Sequence, residues 1–178
     1  MRTLIVAMET RMRRTLIVVA GFAVVSIAAE SRLSGQSQST QLTVTANVVK
    51  NCTITTTPVA FGSYDPVTAN KASALDGIGT VSVTCTKGAV AKVGLNTGSY
   101  PSGGRRMFAG GEAFLNYELY RDQTRATVWG DTLGNAVDVP ASPSALQPQV
   151  LTVYGRVPQA QDATVGNYAD TVVATVNF

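Results

Sequence analysis

The strongest signal in this 178-residue chain is alternation. Leu42, Val44, Ala46 and Val48 share one parity, with Thr43, Thr45 and Asn47 between them. Val81, Val83 and Cys85 alternate with Thr80, Ser82, Thr84 and Thr86. Ala91, Val93 and Leu95 follow, then Leu115, Tyr117 and Leu119, then Leu151 and Val153 set against Thr152 and Tyr154. The last such stretch puts Val172, Ala174, Val176 and Phe178 on one side and Val173, Thr175 and Asn177 on the other. A period of two places side chains on opposite faces of a strand that buries one of them. Valine and threonine dominate these stretches, as strands favour. Between them lie turn-rich segments: "YDP", "LDGIG", "NTGSYPSGG", "GDTLGN" and "PASPSALQP". No sustained helical period appears after residue 35. About seven short strands at this spacing predict an all-β sandwich.

The first 35 residues read differently. Arg13 and Arg14 precede Thr15–Ala29, a run without charge. Basic residues followed by a short apolar run predict a secretory signal peptide. The run falls short of the ~20 residues a membrane span needs. "MRTLIVA" at Met1 nearly repeats "MRRTLIV" at Met12, so Met12 is the expected start, with cleavage after Ala29 or near Gly35. A retained N-terminal anchor is the alternative. The expected organisation is then a signal peptide over 1–35, an N-terminal segment over 36–50 and one β-sandwich domain over 51–178.

Removing the leader changes the charge. Of 14 basic and 11 acidic residues, the leader holds Arg2, Arg11, Arg13, Arg14, Arg32, Glu9 and Glu30, which leaves nine of each sign. The net +3 therefore belongs to the leader. A neutral remainder gives no electrostatic reason to expect nucleic acid as a partner, and no membrane span follows the leader. Arg105, Arg106, Arg121 and Arg125 are expected to form a solvated face.

Cys52 and Cys85 are the only cysteines. In an exported chain two cysteines most simply form one disulfide. Cys85 lies on the apolar parity of its segment, and Cys52 continues the parity of Leu42–Val48, so both are expected to face the core. No metal or other cofactor is expected: the chain has no histidine, and two thiols are too few for a zinc site. The absence of histidine also removes the commonest general base and the Ser-His-Asp arrangement. Asp65, Asp76, Asp131 and Asp138 sit in turn-like contexts, where aspartate bonds nearby backbone. "GGRRMFAGG" lacks the strand–helix setting of a phosphate loop and reads as a mobile connection. "NCT" at Asn51 matches the glycosylation sequon only weakly, since it opens a strand beside a cysteine. No catalytic residues emerge and the chain is not read as an enzyme. Trp129 with Tyr117, Tyr120 and Tyr154 is the one aromatic set that suggests a sugar site, in a secreted monomeric binding module, although aromatics in strands more often serve as core or cross-strand partners.

Six segments in order, "FGSYDP", "VSVTCTKG", "LNYELYRD", "VWGD", "YGRVP" and "GNYADTVVATVNF", resemble the spore coat protein U domain, found in subunits of archaic, Csu-type chaperone–usher pili. The resemblance covers roughly Gln41 to Phe178. It implies an incomplete immunoglobulin-like sandwich of pilin type that lacks its last strand and is completed by a donor strand. It implies a periplasmic chaperone that lends a strand during export, an outer-membrane usher, and identical or related pilin subunits joined head to tail in a surface pilus. Attachment and biofilm formation would be the roles of such a pilus. The family's name also points to assembly into a spore or cell coat.

The residues reach the same expectation separately. Val172, Ala174, Val176 and Phe178 form a strand that needs cover, and nothing follows it in the sequence to supply any. An unpaired apolar edge is usually blunted by charge or proline, and this one has neither beyond Asp170. Leu42, Val44, Ala46 and Val48 make an alternating segment suited to adding a strand to a neighbour's edge. The alternative is pairing in cis, with Leu42–Val48 as the first strand of the same domain.

Overall fold

The computed structural model describes residues 35–132 and 134–178. Apart from Gly35, the expected signal peptide lies outside the described residues. The chain divides into two units between Val44 and Thr45. In the first, residues 35–44 carry no regular secondary structure and are exposed.

The second unit contains eight strands: β1 (Cys52–Thr57), β2 (Leu75–Cys85), β3 (Ala91–Leu95), β4 (Arg105–Phe108), β5 (Phe114–Tyr120), β6 (Val137–Val139), β7 (Gln149–Val157) and β8 (Ala174–Asn177). They form two sheets, ordered β1-β2-β7-β5-β4 and β6-β3-β8, and the strand pairings within them are antiparallel. No helix occurs among the described residues. The fold is all-β, with the alternating apolar residues of both sheets turned toward one core.

β2 shows how the pattern sets the fold. Val81, Val83 and Cys85 are buried while Asp76 and Ile78 are exposed. Val153 and Val157 of β7 and Leu115, Tyr117 and Leu119 of β5 extend this face within the same sheet, and Val93 and Leu95 of β3 join the core from the other sheet. Trp129 sits among them with no exposed surface, its indole N–H donating to the Val93 carbonyl at 2.8 Å. Trp129 and Tyr117 thus serve as core, the role expected more often of such aromatics, and the alternative of a sugar site loses both, because a ring inside the core offers no face to a glycan.

Two expectations fail for identifiable reasons. "LDGIG" is not a turn but the leading half of β2, paired with β7 from Leu75↔Val157 through Gly79↔Val153. Its glycines answer a packing demand. A Cβ at Gly79 would stand 2.7 Å from Val59 Cγ2, and one at Gly77 would stand 2.9 Å from Phe61 Cδ1. Gly155, directly opposite Gly77, would likewise meet both Val59 and Phe61 at 2.7 Å. The chain after β1 thus lies on three inward-facing glycines. "GGRRMFAGG" is not a loose connection, since its centre is β4, paired with β5 from Arg105↔Tyr117 to Phe108↔Phe114.

The four arginines do not make one solvated face. Arg105 is 3% exposed. Its guanidinium donates to the carbonyls of Asn96 (2.9 Å), Leu95 (2.9 Å) and Trp129 (2.8 Å) and pairs with Glu118. A buried charge is tolerated only when its donors are satisfied, and here they tie β4 and β5 to the end of β3. Arg106 lies over the Phe114 ring at 4.0 Å, and Arg125 bonds the Gly155 carbonyl and pairs with Asp76 at 3.2 Å.

An open groove beside the last strand

Among the described residues β8 is hydrogen-bonded to one strand. It pairs with β3 from Leu95↔Ala174 to Lys92↔Asn177, and its other edge pairs with no strand among the described residues. β1 is likewise an edge strand, paired among the described residues with β2 alone. These two edges belong to different sheets and flank the same side of the sandwich.

Between them a cavity of about 520 Å³ reaches the core. Thr56 to Val59 form one wall and Tyr168 to Val172, with Ala174, the other. Val81, Leu95, Leu119 and Val153, each 5% exposed or less, line its floor. A second cavity of about 690 Å³ adjoins it, sharing Val59, Phe61, Met107 and Tyr168 and extending to Leu75, Leu115 and Val157.

Side chains define the strand wall with care. Val172, Ala174 and Val176 are half-buried and pack on the core, while Val173 is 54% exposed. Phe178 departs from the expected parity: it lies past the end of β8 and is 49% exposed. Leading into β8, the backbone is held by side chains together with one backbone bond. The Asn96 side-chain oxygen accepts from Val173 N at 2.9 Å, and Asn96 N donates to the Val173 carbonyl at 3.0 Å. Asp170 accepts from Ser99 N (2.8 Å), Thr171 N (2.7 Å) and the Tyr117 hydroxyl (2.6 Å). Burial, and next the bond to Asp170, push the Tyr117 hydroxyl well above its ordinary range, so it remains a donor. Ala169 and Phe108 exchange backbone bonds at 2.9 and 3.1 Å, which closes the sandwich on the β4 side.

On the opposite wall, Cys52 and Cys85 face each other in the β1–β2 register and are bonded. Thr57 and Thr80 share a hydroxyl hydrogen bond of 2.8 Å at the far end of that ladder. The "FGSYDP" segment is ordered behind the wall. Phe61 meets Tyr117 edge to face at 6.0 Å, the Tyr64 hydroxyl donates to the Pro158 carbonyl at 2.9 Å, and Asp65 caps the backbone of Val67 and Thr68.

Leu42, Val44, Ala46 and Val48 were expected to form a strand, yet residues 35–50 belong to none and all are exposed. Leu42, Val44 and Val48 are 86, 84 and 81% exposed. An alternating apolar segment gains strand structure only from a partner edge, and none is supplied to it among the described residues.

Among the described residues, then, the molecule is an all-β sandwich with a groove that opens on its core between the edge strands β1 and β8. The Spore Coat Protein U domain model matches residues 38–175, and the chain belongs to that family. Protein U of Myxococcus xanthus is 39% identical over 170 residues, spanning 88% of this chain and 93% of that protein. Among solved structures, the chaperone–tip adhesion subunit pre-assembly complex from archaic chaperone–usher Csu pili of Acinetobacter baumannii has a similar fold. The TM-score is 0.54 at 22% identity, and the match covers 74% of this chain and 40% of that one.

Proposed function

We propose that the protein is a structural subunit that polymerises head to tail by donor-strand exchange, residues 36–50 of one copy filling the groove of the next. The observation that carries this reading is the groove itself: a cavity floored by core valines and leucines opens beside the edge of β8 that pairs with no strand among the described residues. The same chain carries an exposed segment with Leu42, Val44, Ala46 and Val48 at every second position. Strand addition would pair that segment's backbone with β8 and turn its apolar parity onto Val81, Leu95, Leu119 and Val153. Burying three or four aliphatic side chains contributes roughly 5–10 kcal/mol. Some of this is offset by ordering the segment. A head-to-tail insertion does not close on itself and so makes a filament.

Before exchange the groove needs a temporary occupant. A periplasmic chaperone lending a strand, followed by transfer at an outer-membrane usher, fits this need, and the Csu-pilus neighbour was solved as a chaperone–subunit complex. The product would be a surface pilus serving attachment and biofilm formation. The direct test is an unboiled denaturing gel of surface-sheared material. A ladder in whole-subunit steps is expected; a single monomer band from assembling cells would overturn the reading.

A second reading, a coat component assembled by the same exchange, is favoured by 39% identity extending over 93% of Protein U and by the family's description. Immunogold labelling separates the two: thin fibres leaving the cell support a pilus, and a continuous labelled shell supports a coat.

A further inference from the structure

We infer that the Cys52–Cys85 disulfide shields the strand-accepting groove from tension applied to the subunit's own N-terminal segment. The inference rests on the strand-exchange reading, in which each subunit is pulled at two places: through the segment it donates and through the groove that holds its neighbour's.

The two places are connected by β1. The donating segment enters the fold at Cys52, the first residue of β1. The other end of β1, Thr56 and Thr57, continues into Pro58 and Val59 as a wall of the groove. β1 is held by one neighbour through six paired residues, Cys52↔Cys85 to Thr57↔Thr80. A strand with one neighbour, pulled from its end, yields pair by pair. Peeling would run from Thr53 toward Thr57 and then strip the groove wall. Load on one junction would thereby open the next.

The disulfide lies ahead of every one of the pairs that would peel. It joins Cys52 to Cys85, the last residue of β2, which is 2% exposed in the core. β2 is an interior strand, paired on both sides by β1 and β7. Hydrogen bonds reinforce the same point: Thr86 Oγ1 donates to the Val49 carbonyl (3.1 Å) and accepts from Asn51 N (3.1 Å), and Thr86 N donates to the Asn51 carbonyl (2.9 Å). Beyond Thr86 the β2–β3 turn is bonded to Ser142 through Gly88 N and the Ala89 carbonyl. Tension arriving at Asn51 therefore passes through sulfur into β2 and the turn, and β1 stays unloaded. The hydrogen bonds alone would share a load; the covalent bond removes it from β1.

The test uses filaments of the full chain held at constant force between two beads. Oxidised wild-type filaments are compared with the same filaments in a phosphine reductant and with filaments of the C52A/C85A double variant. The expected result is a subunit–subunit lifetime shortened at least about tenfold once the bond is absent, each rupture preceded by a short extension as β1 peels. Unloaded filaments should dissociate at the same rate in all three samples. Equal lifetimes under force, or an equal loss of stability without force, would overturn the inference. If the double variant fails to assemble, reduction of already assembled wild-type filaments decides the matter. If the wild-type chain forms no strand-exchanged filament, the functional reading falls, and this inference with it.

Discussion

The Tyr117 hydroxyl, on the core face of β5, donates to Asp170 Oδ2 at 2.6 Å and so fixes the approach to β8 from inside the sandwich. Asp170 accepts two further bonds, from Ser99 N and Thr171 N. Tyr117→Phe keeps the ring and leaves Asp170 with those two partners. It should cost about 1.5–3 kcal/mol, the net value of one hydrogen bond to a charged group. Asp170→Ala strands all three donors and should cost more, about 3–5 kcal/mol. Urea unfolding of the purified chain checks both. A cost for Asp170→Ala no larger than that for Tyr117→Phe would show that the backbone bonds of Asp170 carry no weight.

The glycines under Val59 and Phe61 make a second prediction. A methyl at Gly79 would sit 2.7 Å from Val59 Cγ2 and 2.9 Å from the Thr57 carbonyl oxygen. Backbone cannot yield as a side-chain tip can, so Gly79→Ala should destabilise by about 1–3 kcal/mol. Because Val59 forms the groove wall, the same change should weaken capture of a peptide spanning residues 38–50. Ile78→Ala, one residue away but 61% exposed, should shift stability by less than about 0.5 kcal/mol. Fluorescence binding of the labelled peptide, with thermal melts of each variant, separates the two sites.

The same glycines mark where sequence reading stops. Val81 to Cys85, Ala91 to Leu95, Leu115 to Leu119 and Leu151 to Val153 were legible as strands, because each alternates in a sheet with one buried face. Gly77 and Gly79 hide the start of β2, since a glycine demanded by close packing looks the same in sequence as one demanded by a turn. Arg105 hides in the same way. Its inward parity opposite Tyr117 is a property of register, and no local pattern announces a buried guanidinium. Trp129 stands outside any alternating run, so its burial follows only from the tertiary packing of the loop after β5. The groove was legible as a need for cover along Val172–Val176. Its other wall, Thr56–Val59, was not, because nothing in the sequence brings β1 opposite β8.

Asp122 predicts the behaviour of the loop between β5 and β6 in acid. Its carboxylate accepts from Thr124 Oγ1, Ala126 N at 3.0 Å and Thr127 N at 2.8 Å. These bonds, the Thr124 hydroxyl first, hold its pKa down at about 2. The unfolded value is near 3.9. A depressed carboxylate stabilises fully above the unfolded pKa and loses that contribution as pH falls through the folded one. The loop should therefore keep its geometry at pH 4 and loosen between about pH 4 and pH 2. Carboxyl-carbon NMR titration of Asp122 checks this, and a midpoint near 4 would rule it out. Asp65, also lowered by its bonds to Thr68, should titrate on the same side of its ordinary value.

Assembly can be taken apart by one substitution at each end. Val44 is 84% exposed and touches no core, so Val44→Asp should leave the fold within about 0.5 kcal/mol of wild type. In a neighbour's groove the same aspartate would meet Val81, Leu95, Leu119 and Val153, where an unpaired charge is strongly disfavoured. Val172 is half-buried and lines the groove, so Val172→Asp should impair accepting while the exposed N-terminal segment stays free to donate. Each variant alone should then be monomeric. Mixed in equal amounts they should form dimers and nothing longer: the Val172→Asp chain donates into the intact groove of the Val44→Asp chain, whose own segment cannot enter another copy. Size-exclusion chromatography with light scattering reads the outcome directly. Long polymers from the mixture, or dimers from either variant by itself, would show that the copies join through some other surface.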